Sequence, residues 1–197
     1  EKGVRKFQLR VSIEKDPVAH ATLSLRALFR AFPKGEAPEA YYQYIRGEIT
    51  REELFKHPDV PAEAVEAAQE AKLAELGKIS PEEVDSWIKE ALVGADEWVL
   101  IGGPPCQAYS VAGRARRTRE SQEEFESDEK HFLYKEYLRI IREFKPTIFV
   151  MENVKGILSS KHSGSHIFQQ ILDDLSAPAG DLSYNIRSLV LPKDAGK

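Results

Sequence analysis

Residues 98–110 read WVLIGGPPCQAYS, and the reading of this stretch decides the architecture of the chain. Trp98 to Ile101 has strand character. Gly102, Gly103, Pro104 and Pro105 then make a rigid turn that continues neither helix nor strand, and Cys106 is presented at its edge. Further on, Thr147–Met151 (TIFVM) is an apolar run suited to a buried parallel strand, with Glu152 and Asn153 at its C-terminal edge. Upstream, Phe7–Ile13 (FQLRVSI) has strand composition and runs into Glu14.

The segments between these strands read as helices. Asp16 followed by Pro17 is an N-cap side chain with proline at the first helical position. Val18, Ala21, Leu25, Leu28 and Phe29 then recur at helical spacing and predict one buried face. Residues 33–50 are punctuated by Pro33, Gly35, Pro38 and Gly47 and read as irregular. From Thr50 to about Leu92 the chain reads as helical. Thr50 with Glu53, and Ser80 with Glu83, are capping-box patterns. The Ala/Glu-rich stretch 61–76 reads as one helix, and Val84, Trp87, Ile88, Ala91 and Leu92 as the apolar face of another. Residues 110–129 form a charged loop, and a helix near 131–144 carries Tyr134, Tyr137, Leu138 and Ile141 on one face before Pro146 ends it. A short helix near 165–175 and a strand near 184–191 complete the chain. Alternating strands and helices are the pattern of an α/β fold with a doubly wound, mostly parallel sheet.

Composition narrows the function classes. With 42% hydrophobic and 30% charged residues, the chain fits a soluble globular protein. It holds no run near ~20 apolar residues that could span a membrane, and no secretory leader is legible at its start. One cysteine excludes an internal disulfide, points to a reducing compartment and leaves a metal site without cysteine company, so no metal is expected. The net charge of −4 does not advertise nucleic-acid binding, yet Arg114, Arg116, Arg117 and Arg119 form a local basic cluster ahead of an acidic stretch.

Ligands of open parallel sheets bind beyond the carboxyl ends of the strands. Glu14, Cys106 and Glu152 all follow strand ends, so three residues distant in sequence are expected to share one rim. A lone cysteine is usually a small buried hydrophobe, but the Gly-Gly-Pro-Pro turn argues for exposure, which a nucleophilic thiolate needs. Glu152 alone could simply face water; beside a reactive thiol it could hand over a proton, oriented by Asn153. Glu14 could be an ordinary helix-start acid, or could accept hydrogen bonds from ribose hydroxyls.

GGPPCQAYS resembles the Pro-Cys-Gln motif of cytosine-5 DNA methyltransferases of bacterial type, and FVMENVKGIL resembles their Glu-Asn-Val motif. VSIEKDP is similar to their ribose-binding acidic segment, and DEKHFLYKEYLRIIREFKP to the segment preceding Glu-Asn-Val. Gly47, Glu48 and Ile49 resemble a Gly-Asp-Ile segment near the cofactor adenine. The first two motifs, in this order and spacing, are highly specific; the last is a weak match. The resemblance implies a Rossmann-like fold dependent on S-adenosylmethionine. It further implies a target cytosine swung out of double-stranded DNA, Cys106 adding to C6, and Glu152 serving N3 so that C5 takes the methyl group. Glu14, Lys15, Glu48, Ile49, Pro105 and Leu133 would stand around the cofactor. Gln107 and Ser110 would belong to a loop closing on DNA, with Arg114 and Arg116 meeting phosphates.

The resemblance also sets expectations about extent. The glycine-rich cofactor loop and the target-recognition domain are not among these residues, so 1–197 reads as a partial catalytic domain, truncated at both ends, with a helical insertion at about 51–95. By itself such a fragment is expected to bind S-adenosylmethionine poorly and to methylate little. A bacterial cytoplasmic setting and a cognate restriction endonuclease in the same system accompany the resemblance. Three other readings compete: a tRNA cytosine-5 methyltransferase, a non-catalytic binding domain of the same fold, and a thiol hydrolase. Cys106, Gln107, Glu152 and Asn153 together disfavour the non-catalytic reading. The hydrolase would want a histidine paired with Cys106, and none of the five shows one.

Overall fold

Asp16 shows how the local sequence starts the first helix. In a computed structural model of the chain, its Oδ1 accepts from the backbone N–H of Val18 at 2.9 Å and of Ala19 at 2.8 Å, while Pro17 supplies the fixed φ of the first helical turn. The structure describes residues 7–103, 130–152, 161–162 and 165–189. It resolves into two compact units, Glu1–Gly94 and Ala95–Lys197.

In the first unit, strand β1 (Ser12–Glu14) leads through Asp16 into helix α1 (Pro17–Ala31). Helices α2 (Glu39–Ile45), α3 (Arg51–Phe55) and α4 (Ala62–Gln69) follow, then strand β2 (Ala71–Leu73) and helix α5 (Pro81–Ala91). β2 lies parallel to β1, with Glu14 opposite Leu73. The core gathers Leu28, Ala40, Leu54, Val60, Ala64 and Ala68. Small residues on α4 let α1 approach closely, and Ser24, Ala27 and Leu28 form its buried face. That face is rotated from the expected one: Val18 is 75% exposed, and Phe29 is only partly covered, stacked against Tyr41 with centroids 4.8 Å apart. Ser24, buried and polar, is satisfied by the Arg51 guanidinium at 2.8 Å.

Four expectations about elements need correction. FQLRVSI is not a strand through its length, because β2 offers only three residues to pair with; Phe7 and Leu9 remain exposed. Residues 39–45 are helical although they lie between Pro38 and Gly47: the proline precedes the first turn and Gly47, at φ 75°, closes the chain after the last. The helix expected over 61–76 stops at Gln69, so the 51–95 stretch contains a strand that pairs with β1 and is not wholly helical. Among the described residues of 184–191 there is no strand; the backbone N–H of Tyr184 donates to Ser176 O and its hydroxyl to Pro146 O.

The Thr50 capping box holds in full and the Ser80 one by its serine half alone. Thr50 and Glu53 form a complete box, and the Ser80 hydroxyl accepts from Glu83 N–H. The Asp16 cap also fixes the direction in which α1 leaves Glu14. Asp16→Ala is expected to lower stability by about 1 kcal/mol, readable as a lower urea midpoint with an unchanged slope.

In the second unit, strand β3 (Val99–Gly102), helix α6 (Lys130–Phe144) and strand β4 (Ile148–Met151) place β3 and β4 side by side and parallel. A small hairpin of β5 (Lys161–His162) and β6 (Ser165–His166) precedes helix α7 (Ile167–Ser176). Tyr137, Leu138, Ile141, Ile171 and Leu175 form the core, with Leu100, Phe149 and Met151 packed against it from the strands. Alternation along β3 and β4 explains why Ile101 and Ile148 project from the other face and stay exposed. Both units therefore have the α/β class with parallel pairing. Among the described residues, no helix is long and apolar enough to cross a membrane.

Candidate active site

The ends of β3 and β4 build the better-defined site. Register pairs Gly102 with Met151, and the ladder continues one step beyond the strands, where Glu152 N–H donates to Gly102 O at 3.0 Å. Glu152 is therefore held by its backbone at the carboxyl rim while its side chain stays exposed. Gly103 lies directly beside it. A Cβ at Gly103 would sit 3.2 Å from Glu152 Oε2 and 3.3 Å from Glu152 O, tighter than ordinary contact. The glycine leaves the room in which this carboxylate stands.

One residue earlier, Gly102 is more confined. A Cβ there would lie 2.6 Å from Cε2 of Tyr137, which no real contact tolerates. Tyr137, buried in α6, meets Phe149 edge-on with centroids 6.3 Å apart and donates its hydroxyl to Val150 O at 3.1 Å. Burial pushes the tyrosine pKa well above its ordinary value, so the group stays a neutral donor across the physiological range.

The ends of β1 and β2 make a second rim in the first unit. Glu14 closes β1, its carbonyl accepts from Ala74 N–H at 3.0 Å, and its Oε1 accepts from Asp16 N–H at 2.8 Å. Lys15 reaches Glu75 Oε1 at 3.5 Å and Lys78 reaches Glu75 Oε2 at 3.4 Å. The rim then turns through Gly77, at φ 85°, and Ile79 into the Ser80 cap of α5.

Glu14, Lys15, Glu48, Ile49, Leu133 and Glu152 are the sequence-derived site residues that the structure describes. Cys106, Gln107, Ser110, Arg114, Arg116, Pro105 and Asn153 lie outside the described residues. Glu14 and Glu152 each stand at a strand's carboxyl end, as expected. Leu133 lies in α6, half-buried. Glu48 and Ile49 are not brought to a strand end. They occupy the α2–α3 connection, where Arg46 holds Glu48 and Glu39 together and draws the Glu48 carboxyl below its usual pKa. Ile49 packs on the helical core. Two features at the rims escaped the sequence reading: the Glu75–Ile79 turn and the Gly102–Tyr137 contact. The first could have been found from Glu-Leu-Gly-Lys-Ile running into a capping serine; the second has no local signal, because its partners are far apart in sequence. Among the described residues, no group of three or more His, Cys, Asp or Glu side chains could hold a metal ion.

Residues 75–193 match the family described as C-5 cytosine-specific DNA methylase, which is more than half of the chain. The chain belongs to that family. The match begins at the Glu75–Ile79 turn and takes in the rim at Gly103 and Glu152, but not Glu14, Lys15, Glu48 or Ile49. Among curated relatives of this DNA methylase chain, the Type II methyltransferase M.Bpa9945I of Bacillus paralicheniformis is 45% identical over 73 residues, 37% of this chain and 15% of the relative. M.AquIA of Picosynechococcus is 33% identical over 106 residues, 54% of this chain and 34% of the relative. M.AgeI of Thalassovita gelatinovora is 30% identical over 130 residues, 65% of this chain and 24% of the relative. The chain thus spans about a third or less of the length of these relatives. No solved structure matches.

Proposed function

We propose that the protein carrying this chain transfers a methyl group from S-adenosylmethionine to C5 of cytosine in double-stranded DNA, as the modification partner of a restriction endonuclease. One observation carries the reading furthest: Glu152 is fixed on the same rim as Gly103, three residues before Cys106. Three residues of chain span at most about 11 Å, so covalent connection alone tethers the only cysteine to the neighbourhood of that carboxylate.

A thiolate and a carboxylate within such reach suit a cytosine turned out of the duplex. Cys106 is the nucleophile at C6, Glu152 serves N3, and Asn153 steadies the rim. Gln107 and Ser110 belong to the DNA-facing loop, where Arg114 and Arg116 meet phosphates. S-adenosylmethionine, when bound, supplies the methyl group. The first-unit rim fits its ribose: Asp16 N–H occupies Oε1 of Glu14 and leaves the other oxygen to accept from hydroxyls. Lys15 borders that position, and the Glu75–Ile79 turn, which follows a strand, is proposed for the adenine side in preference to the Glu48–Ile49 corner, which follows a helix. In the second unit, Pro105 and Leu133 are the proposed cofactor contacts.

The test uses the full-length protein with S-adenosylmethionine labelled in its methyl group. Label recovered as 5-methylcytosine from duplex DNA is the expected result. Label on an exocyclic amine, or on tRNA in preference to duplex, would overturn the assignment.

A further inference from the structure

We infer that Tyr137 is a positioning residue that locks the end of β3, from which the chain runs on to Cys106, and the end of β4, which leads into Glu152, into one rigid step, with Gly102 as the socket for its ring. This rests on the proposed cytosine chemistry of the same rim. Three contacts interlock. The ring of Tyr137 lies against Gly102 so closely that a Cβ there would meet Cε2 at 2.6 Å and Cδ2 at 3.0 Å. The tyrosine hydroxyl donates to Val150 O at 3.1 Å, two residues before Glu152. Gly102 O in turn accepts from Glu152 N–H at 3.0 Å. One side chain of α6 therefore touches the last residue of β3 and holds the carbonyl of the penultimate residue of β4.

Ordinary core packing would not need this arrangement. An aliphatic residue at 137 and a side chain at 102 could fill the same volume; leaving 102 bare and spending a buried hydroxyl on Val150 O makes sense if the spacing of the rim matters. How far β3 and β4 slide or splay at their ends sets where Gly103, from which the chain runs on to Cys106, stands against Glu152. Small errors there are costly, since a displacement of about 1 Å can cost roughly 100-fold in rate.

The experiment measures capture of a 5-fluorocytosine duplex by the full-length protein in the presence of S-adenosylmethionine, at saturating duplex, with duplex affinity and Tm measured in parallel. Gly102→Ala is expected to slow capture by about 100-fold, with affinity little changed. Adding Tyr137→Leu to that variant removes the ring atoms that the new methyl meets, and should recover up to about tenfold of the loss, the missing hydroxyl accounting for the rest. Tyr137→Phe keeps the ring and drops the hydroxyl, and should slow capture by about tenfold without a matching change in affinity. Capture at the wild-type rate by Tyr137→Phe overturns the inference, as does a Gly102→Ala loss that the second substitution deepens. Should Gly102→Ala fail to fold, the Tyr137→Phe arm decides alone. The wild-type protein and Cys106→Ser are the reference: absence of Cys106-dependent capture in wild type sinks the proposed function itself, whereas normal wild-type capture with unaffected variants sinks only the positioning role.

Discussion

Cys106→Ser in the full-length protein is expected to cut methyl transfer by on the order of 10⁴-fold or more while duplex binding stays within about threefold. The two side chains are close in size and both can donate a hydrogen bond, so the substitution isolates nucleophilicity. A thiol ionises near neutral pH when a positive field helps it; a hydroxyl does not. Cytosine C5 is a poor nucleophile until a group has added at C6, so without the thiolate the methyl group has nowhere to go. Within this chain there is no second cysteine. A radiolabel assay reads the loss, and denaturing electrophoresis of a 5-fluorocytosine duplex reads the missing adduct. An adduct that survives Cys106→Ser would show that another side chain attacks the base.

The parts of the fold legible in the sequence share a cause: their signals are local. Asp16 before Pro17, Thr50 three residues before Glu53 and Ser80 three before Glu83 each satisfy orphan N–H groups within one turn, so composition and spacing suffice to see them. The apolar run Ile148–Met151 is equally plain because both faces of its strand can take aliphatic residues. β2 was invisible for the opposite reason. Ala-Lys-Leu has no strand preference of its own and is extended because β1 lies beside it. The same dependence removed the first five residues of FQLRVSI, which have the composition of a strand but no partner there.

The site divides along the same line. The strand-end positions of Glu14 and Glu152 could be read because a strand followed by an acid is a local pattern. Glu48 and Ile49 were singled out by three letters without a strand before them, and the structure puts them in a helix–helix corner held by Arg46. The Glu75–Ile79 turn does follow a strand, one that propensity could not announce. Tyr137 looked like one more apolar residue on a helix face, and three of its companions there do serve packing: Tyr134, Leu138 and Ile141 belong to the same cluster. Only coordinates reveal that its ring rests on a glycine at the end of a strand 35 positions earlier in the chain, at Gly102.

Glu152→Gln is expected to lower methyl transfer by about 10²- to 10⁴-fold, with Tm and duplex affinity close to wild type. The substitution preserves shape in a place where shape is constrained, since Glu152 Oε2 would come within 3.2 Å of any Cβ at Gly103. It leaves the backbone untouched, and the backbone is what anchors the residue, through the N–H donated to Gly102 O. The side chain is exposed, so exchanging it should move stability by no more than about 0.5 kcal/mol. What the amide lacks is a proton that can be handed to N3 and taken back. Glutamine can still donate a hydrogen bond to the ring, so flipping and binding persist while attack by Cys106 builds charge that nothing neutralises. Adduct formation with a 5-fluorocytosine duplex should therefore slow along with turnover, and Glu152→Ala should be slower still because it loses the hydrogen bond too. If Glu152→Gln turned over at the wild-type rate, the carboxylate would be a bystander at the strand end and the proton would have to come from water or from another residue.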